Sequence, residues 1–160
     1  MHEAIVTQAR AVSGIPTGKV GMWGFLASEI TVFGGLIASY IVVRLGSAGW
    51  SEAASHLNFS LAMINTFVLL TSSLTMVLAF KAVEEKDPKM LQTFLGLTIL
   101  LGLIFLIIKA FEYGGEIGEG FTPGGGIFWS FYYGMTGLHA LHVLGGVVVN
   151  LMLLIAALRE

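Results

Sequence analysis

Four long apolar segments constrain this chain more than any other feature of its sequence. They lie at about residues 20–45, 59–80, 90–111 and 128–158. Each has the roughly 20 helical residues that are needed to cross a hydrocarbon core about 30 Å thick. Backbone polar groups in lipid must be satisfied within the protein, and continuous rather than alternating apolar runs favour helices over a barrel. The sequence therefore predicts an all-α, polytopic membrane protein with four transmembrane helices.

The composition agrees with a chain that lies almost entirely in a bilayer. Of its 160 residues, 56% are hydrophobic and 11% are charged, whereas soluble domains have about 25% charged residues. No stretch outside the four segments is long enough to bury a core of its own. We therefore expect a single membrane domain over residues 1–160, in which residues 1–19 form a short N-terminal arm. The lack of cysteine excludes disulfides and thiolate metal or redox sites.

Basic residues in the connecting segments predict the orientation. Six of the eight lie before the first predicted helix, between the second and third, or after the fourth. The positive-inside rule places that side in the cytoplasm, so both termini are expected there. The opposite connection at residues 112–126 is rich in glycine and carries three glutamates without a base. We interpret this connection as a solvated, flexible loop, with the contact of a basic partner as the alternative.

Glu29 is the only charged residue between Lys19 and Arg44. An ionisable side chain at bilayer depth costs about 2.5 to 3.5 kcal/mol on insertion scales, and it usually marks a functional site. Counting about 1.5 Å per residue, Glu29 lies near the middle of the membrane, at about the depth of His142. We therefore predict a hydrogen bond in which the neutral carboxylic acid of Glu29 donates to the neutral imidazole of His142.

His139 and His142 are three residues apart, so they lie on one helix face. A metal shared by the two rings would need further ligands from other helices, which only Glu29 or Glu112 could supply. Axial haem ligands usually come from two helices, and no CxxCH motif is present. We expect no catalytic residue, no metal and no cofactor in this chain.

Other side chains are expected to support packing. Lys109 and Glu112 are three residues apart and are predicted to form an interfacial ion pair of modest strength. Small residues four apart on the first helix, and the glycines of the fourth, allow helices to approach closely. A polar stripe on the second helix is interpreted in the same way. An aromatic belt at the membrane interface is predicted from Phe128, Trp129, Tyr132 and Tyr133.

Four blocks of sequence follow one another at residues 21–35, 64–73 (INTFVLLTSS), 102–113 (GLIFLIIKAFEY) and 136–146 (TGLHALHVLGG). In this order they resemble cytochrome c oxidase subunit III, the haem-free subunit of haem-copper oxidases. The resemblance covers most of the chain and is most specific in the fourth block. It implies that Glu29 corresponds to the buried carboxylate of the family, Glu112 to the glutamate of its EY motif, and His139 and His142 to its histidine pair.

The resemblance implies a non-catalytic accessory subunit of an oxygen-reducing, proton-pumping oxidase in aerobic respiratory electron transport. Haem and copper would belong to the partner, subunit I. Subunit II, other small membrane subunits and bound phospholipid are also implied, and no nucleic acid. Such a subunit stabilises subunit I and its lipids and supports proton uptake. The expected location is the cytoplasmic membrane of a bacterium.

The chain also departs from the family pattern, and two alternatives stay open. The usual member has seven helices, and the four blocks match only the third to sixth, so we expect a shortened form. Shortened relatives also accompany nitric oxide reductases. In outline, four helices with one glutamate in the first also look like a small proton-coupled multidrug transporter that uses Glu29.

Overall fold

The computed structural model describes residues 17–47 and 50–159 of the chain. These residues form five helices and no strand. The helices are α1 (Thr17–Gly46), α2 (Trp50–Ser55), α3 (Phe59–Glu84), α4 (Pro88–Gly118) and α5 (Ile127–Ala157). All but α2 are long and apolar enough to cross a membrane. The prediction of an all-α protein with four membrane-spanning helices is confirmed, whereas the orientation of its termini stays a prediction.

The chain divides into two compact units, residues 1–48 and 49–160, which are described separately. The first unit contributes α1 to the described residues, and the second contributes α2 to α5. Most of the predicted N-terminal arm, up to residue 16, lies outside the described residues. The single membrane domain expected over residues 1–160 stays a prediction.

Two helix boundaries and one additional helix differ from the expectation. Helix α4 continues to Gly118, so the first half of the connection expected at residues 112–126 is helical rather than a flexible loop. The helix ends where Gly120 adopts a positive φ of 92°, a conformation that favours glycine. Helix α3 likewise extends to Glu84. The short α2 was not expected, and its buried Trp50 packs edge-on against the ring of Phe128 at 5.3 Å.

A tight turn joins α3 to α4 and makes them an antiparallel hairpin. The turn consists of Glu85, Lys86 and Asp87. The Asp87 carboxylate accepts hydrogen bonds from the backbone N–H groups of Lys89 and Met90, both at 3.0 Å. Pro88 occupies the first helical position, where a missing N–H does no harm. The turn therefore ends one helix and starts the next within three residues.

Helix α4 is the central helix of the second unit, because it packs against both α3 and α5. Towards α3, the hydroxyls of Thr75 and Thr98 share a buried hydrogen bond of 2.7 Å. Towards α5, Gly102 lies against Val147, and a Cβ added to Gly102 would lie only 2.6 Å from Val147 Cγ2. The close approach of α4 and α5 at this level therefore requires a glycine.

We predict that Gly102→Ala lowers the unfolding free energy of the purified protein by about 1–3 kcal/mol, because the added methyl overpacks a site where the β-branched Val147 has little rotamer freedom. Gly96→Ala on the same helix is the matched control. A Cβ at Gly96 meets nothing within 4 Å, so this change should be neutral or stabilising by about 0.5–1 kcal/mol. Unfolding in detergent measures both.

The double variant Gly102→Ala/Val147→Ala tests the cause of the loss. It should cost less than the sum of the two single changes, because removing the Val147 methyl groups makes room for the new one. Additive losses would contradict the proposed contact.

Candidate functional site

A charged cluster joins α4 and α5 near the end of α4. Lys109 Nζ lies 3.0 Å from Glu112 Oε1 and 2.9 Å from Oε2. The two side chains are only 12% and 6% exposed, so the pair is more buried than its expected interfacial position implied. From α5, the Tyr132 hydroxyl donates to Glu112 Oε1 at 2.6 Å. The carboxylate therefore has a counter-charge from its own helix and a hydrogen bond from the neighbouring one.

Aromatic rings surround the lysine of this cluster. Lys109 Nζ lies 5.3 Å from the ring centroid of Tyr132 and 5.8 Å from that of Tyr113. Both distances allow a favourable cation–π interaction. The hydroxyls of Tyr113 and Thr136 share a second hydrogen bond between α4 and α5, at 2.6 Å. The charged and aromatic side chains thus fix the position of α4 against α5 at this end.

The remaining aromatic residues close this end of the second unit. Phe121 stacks on Trp129 with ring centroids 4.5 Å apart, and the His56 ring lies 4.8 Å from Phe121. The Tyr133 hydroxyl donates to the carbonyl of Phe121 at 2.8 Å. Phe128 and Trp129, expected in an interfacial aromatic belt, are buried in the protein. The two connections on this side are therefore joined by ring contacts.

The two intramembrane histidines have different surroundings. The His139 ring meets Phe105 edge to face, with centroids 5.7 Å apart. His142 Nδ1 lies 2.8 Å from the carbonyl oxygen of Leu138. Because a carbonyl can only accept, Nδ1 is the donor in this contact. The His142 ring is thus held by a carbonyl of its own helix, whereas His139 contacts a ring of α4.

Glu29 lies in α1, in the first unit, whereas His142 lies in the second. The hydroxyls beside Glu29 bond to their own helix, from Ser28 to the Phe25 carbonyl at 2.7 Å and from Thr31 to the Ala27 carbonyl at 2.9 Å. The hydrogen bond between Glu29 and His142 stays a prediction. In residues 17–47 and 50–159, no group of three or more His, Asp or Glu is placed to hold a metal ion.

Sequence reasoning identified Lys109 and Glu112 but missed the contribution of Tyr132 and Tyr113. Spacing along one helix reveals neighbours three or four residues apart, and it contains no information about the residues that a second helix brings alongside. One signal was present. Tyr132 lies near the start of α5 and Glu112 near the end of α4, so antiparallel packing places the two at similar depth.

The sequence of this chain is similar to those of known oxidase subunits. The chain matches the family model of cytochrome c oxidase subunit III over residues 3–160. It is 37% identical to the cytochrome c oxidase subunit 3 of Corynebacterium diphtheriae over 140 residues. This alignment covers 86% of this chain and 68% of that protein. It is 31% identical over 155 residues to the probable quinol oxidase subunit 3 of Staphylococcus epidermidis, covering 96% of this chain and 77% of the relative. The similarity therefore extends over nearly the whole chain.

For the charged cluster, we predict that Lys109→Met lowers the unfolding free energy by about 3 kcal/mol, because it leaves the buried Glu112 carboxylate without its counter-charge. Lys109→Met/Glu112→Leu should recover most of that loss, since no unpaired charge remains. Denaturant unfolding in detergent measures both variants.

An exposed ion pair on α3 provides the control for this prediction. Lys81 Nζ lies 3.5 Å from Glu85 Oε1, and the two side chains are 59% and 50% exposed. Lys81→Met should cost less than about 1 kcal/mol. Equal losses from Lys81→Met and Lys109→Met would show that burial does not strengthen the pair on α4.

Proposed function

This chain belongs to the cytochrome c oxidase subunit III family, and from that premise we propose how it acts in its complex. Its role is that of a subunit III-type accessory subunit of a haem-copper oxidase, and subunit III carries no redox centre. The chain is a multi-pass membrane protein. Neither alternative from the sequence, the nitric oxide reductase accessory subunit or the multidrug transporter, gains support from the comparisons.

We propose that the chain stabilises the catalytic subunit I, which would hold the haem and copper. Subunit II and small membrane subunits would be the other partners in the complex. The family match carries this proposal, and the site geometry supports it. Lys109, Glu112 and Tyr132 satisfy one another within the chain. A carboxylate so engaged serves to fix two helices rather than to act on a substrate.

The outer surfaces of the helices fit a subunit that is surrounded by lipid and other membrane chains. Ile30 and Val42 of α1 are 73% and 70% exposed, and Phe67 of α3 is 63% exposed. Large apolar side chains on a surface mark contact with protein or membrane. We propose that phospholipid and neighbouring subunits cover these faces in the complex. The bacterial relatives support a location in the cytoplasmic membrane of a bacterium.

We further propose that Glu29 is a buried, proton-linked carboxyl group whose partner is His142, with His139 nearby on the same helix. The similar depths of the two residues, counted along their predicted helices, support this pairing. One carboxyl group and two imidazoles do not make a transmembrane proton relay. Glu29 would therefore support proton uptake by the neighbouring subunit without conducting protons itself.

The proposed complex can be tested by purification of the tagged chain from its native membrane in mild detergent. Haem and copper should co-purify with the chain and should be held by another subunit. A colourless preparation that contains only this chain would contradict the proposal.

For Glu29→Gln, we expect normal assembly and unchanged haem spectra, with at most a partial loss of proton uptake or turnover lifetime. Proton uptake and the decay of oxygen consumption during turnover measure these two effects. Complete loss of oxygen reduction in an assembled complex would show that Glu29 has a direct role in catalysis.

The pairing between Glu29 and His142 can be tested separately by infrared spectroscopy. The carboxyl band that disappears in Glu29→Gln is assigned to Glu29. His142→Ala should shift the frequency and the titration of that band, because a hydrogen bond to imidazole changes both. Leu144→Ala is the control, as it removes an exposed apolar side chain two residues away. A band unchanged by His142→Ala would contradict the pairing.

A further inference from the structure

Glu116 is a buried carboxyl group that the proposed function does not use. It lies near the end of α4, and the residue is only 8% exposed. Its Oε2 atom has no hydrogen-bond partner in residues 17–47 and 50–159. A carboxylate loses its hydration when it is buried, so its charged form needs a donor or a counter-charge nearby. Glu116 therefore either holds a proton itself or lies beside a group that carries one.

The end of α4 makes a negative charge on Glu116 more costly. The last carbonyl groups of a helix point out of its C-terminus, which is the negative end of the helix dipole. The last turn of α4 contains no basic residue. Glu119 and Glu112, three residues after Glu116 and four before it, act on its carboxyl group as negative charges. This end of α4 therefore attracts a positive charge.

Two groups of the second unit bring positive charge to Glu116, namely Lys109 and His56. Lys109 is already paired with Glu112, at 2.9 and 3.0 Å from its two oxygens. His56 lies outside the membrane-spanning helices, in the connection between α2 and α3. Histidine is the side chain that ordinarily changes its charge between about pH 5 and 8. The proton that balances Glu116 is therefore carried by His56 or by Glu116 itself.

The position of His56 relative to Glu116 is fixed through Phe121. Helix α4 ends in a Schellman motif, with Gly120 in the left-handed conformation. In this motif the Phe121 N–H donates to the Glu116 carbonyl at 2.9 Å. The ring of His56 lies on the ring of Phe121, with centroids 4.8 Å apart. One residue thus joins the backbone of Glu116 to the ring of His56.

The neighbouring tyrosine hydroxyls are engaged elsewhere. The charge of Glu116 acts on both Tyr132 and Tyr133 of α5. The Tyr132 hydroxyl donates to Glu112 at 2.6 Å. The Tyr133 hydroxyl donates to the carbonyl of Phe121 at 2.8 Å. Because a hydroxyl has a single proton to donate, His56 is left as the group of residues 50–159 that can supply a proton to Glu116.

We propose that Glu116 and His56 form one proton-binding site at the C-terminal end of α4, in which the two side chains hold a single proton between them near neutral pH. Either a neutral carboxyl group lies beside a neutral imidazole, or a carboxylate lies beside an imidazolium ring. Both forms have the same net charge, so the two groups titrate as a pair. The proton comes from water, to which His56 is exposed. The inference does not depend on the proposed function, because both groups belong to this chain.

Infrared titration of the purified complex between pH 5 and 8 tests the site. The carboxyl band that disappears in Glu116→Gln is assigned to Glu116. His56→Gln should move the titration of that band to higher pH by about half a unit or more, a threefold change in proton affinity, because no imidazolium ring then favours the carboxylate. Glu52→Gln is the matched control and should leave the band unchanged. Glu52 is exposed, precedes His56 by four residues and is not among the charges that act on Glu116.

Glu119→Gln controls the sign of the effect. It removes a negative neighbour of Glu116, so the Glu116 band should titrate at lower pH. A band that His56→Gln leaves in place would overturn the proposal, and so would the absence of a titrating Glu116 band in this pH range. An equal shift in Glu52→Gln, or a larger shift in Arg44→Gln than in His56→Gln, would also overturn it.

A second measurement addresses the role of Phe121. Phe121→Leu keeps an apolar side chain but removes the ring on which His56 lies. The Glu116 band should shift in the same direction as in His56→Gln. The double variant His56→Gln/Phe121→Leu should shift no further than His56→Gln alone, because the two changes remove the same interaction. Additive shifts would overturn the assigned position of His56.

Discussion

The structure of this chain depends on one constraint, which is that a polar group at bilayer depth needs a partner inside the protein. Along α4, hydroxyl hydrogen bonds meet that requirement at one position and an ion pair meets it at another. Thr98 bonds to Thr75 of α3 near the middle of the helix. Further along, Lys109 and Glu112 neutralise each other, and Tyr132 of α5 adds a hydrogen bond. Each of these polar contacts also fixes a neighbouring helix, so α4 holds the second unit together.

The membrane-spanning helices could be predicted because their signal is local. About 20 apolar residues in a row have few alternatives to a transmembrane helix. The ends of the helices were harder to place. Helix α4 passes Glu112, which a hydropathy argument treats as the start of a loop, because Lys109 and Tyr132 satisfy the carboxylate within the protein. The short α2 depends on Trp50 packing against Phe128, a contact between distant parts of the sequence.

The site shows the same division between local and non-local information. The spacing of Lys109 and Glu112 predicted their pairing on one helix, yet it gave no indication that the pair is buried beneath two tyrosine rings. The histidine motif indicated one helix face, whereas the two rings have different surroundings in the structure. His142 contacts the Leu138 carbonyl of its own helix, and His139 packs edge-on against Phe105 of α4. Contacts between residues of different helices can be identified only from the packed structure.

The placement of Lys109 and Glu112 on a single helix has a consequence for how the protein is made. The two residues are one turn apart, so their ion pair can form as soon as α4 becomes helical. The charges then partition into the membrane as a neutral pair, at lower cost than two separate charges. Tyr132, which arrives with α5, is not needed for that step. Insertion of α4 therefore need not wait for synthesis of the helix that later covers its charges.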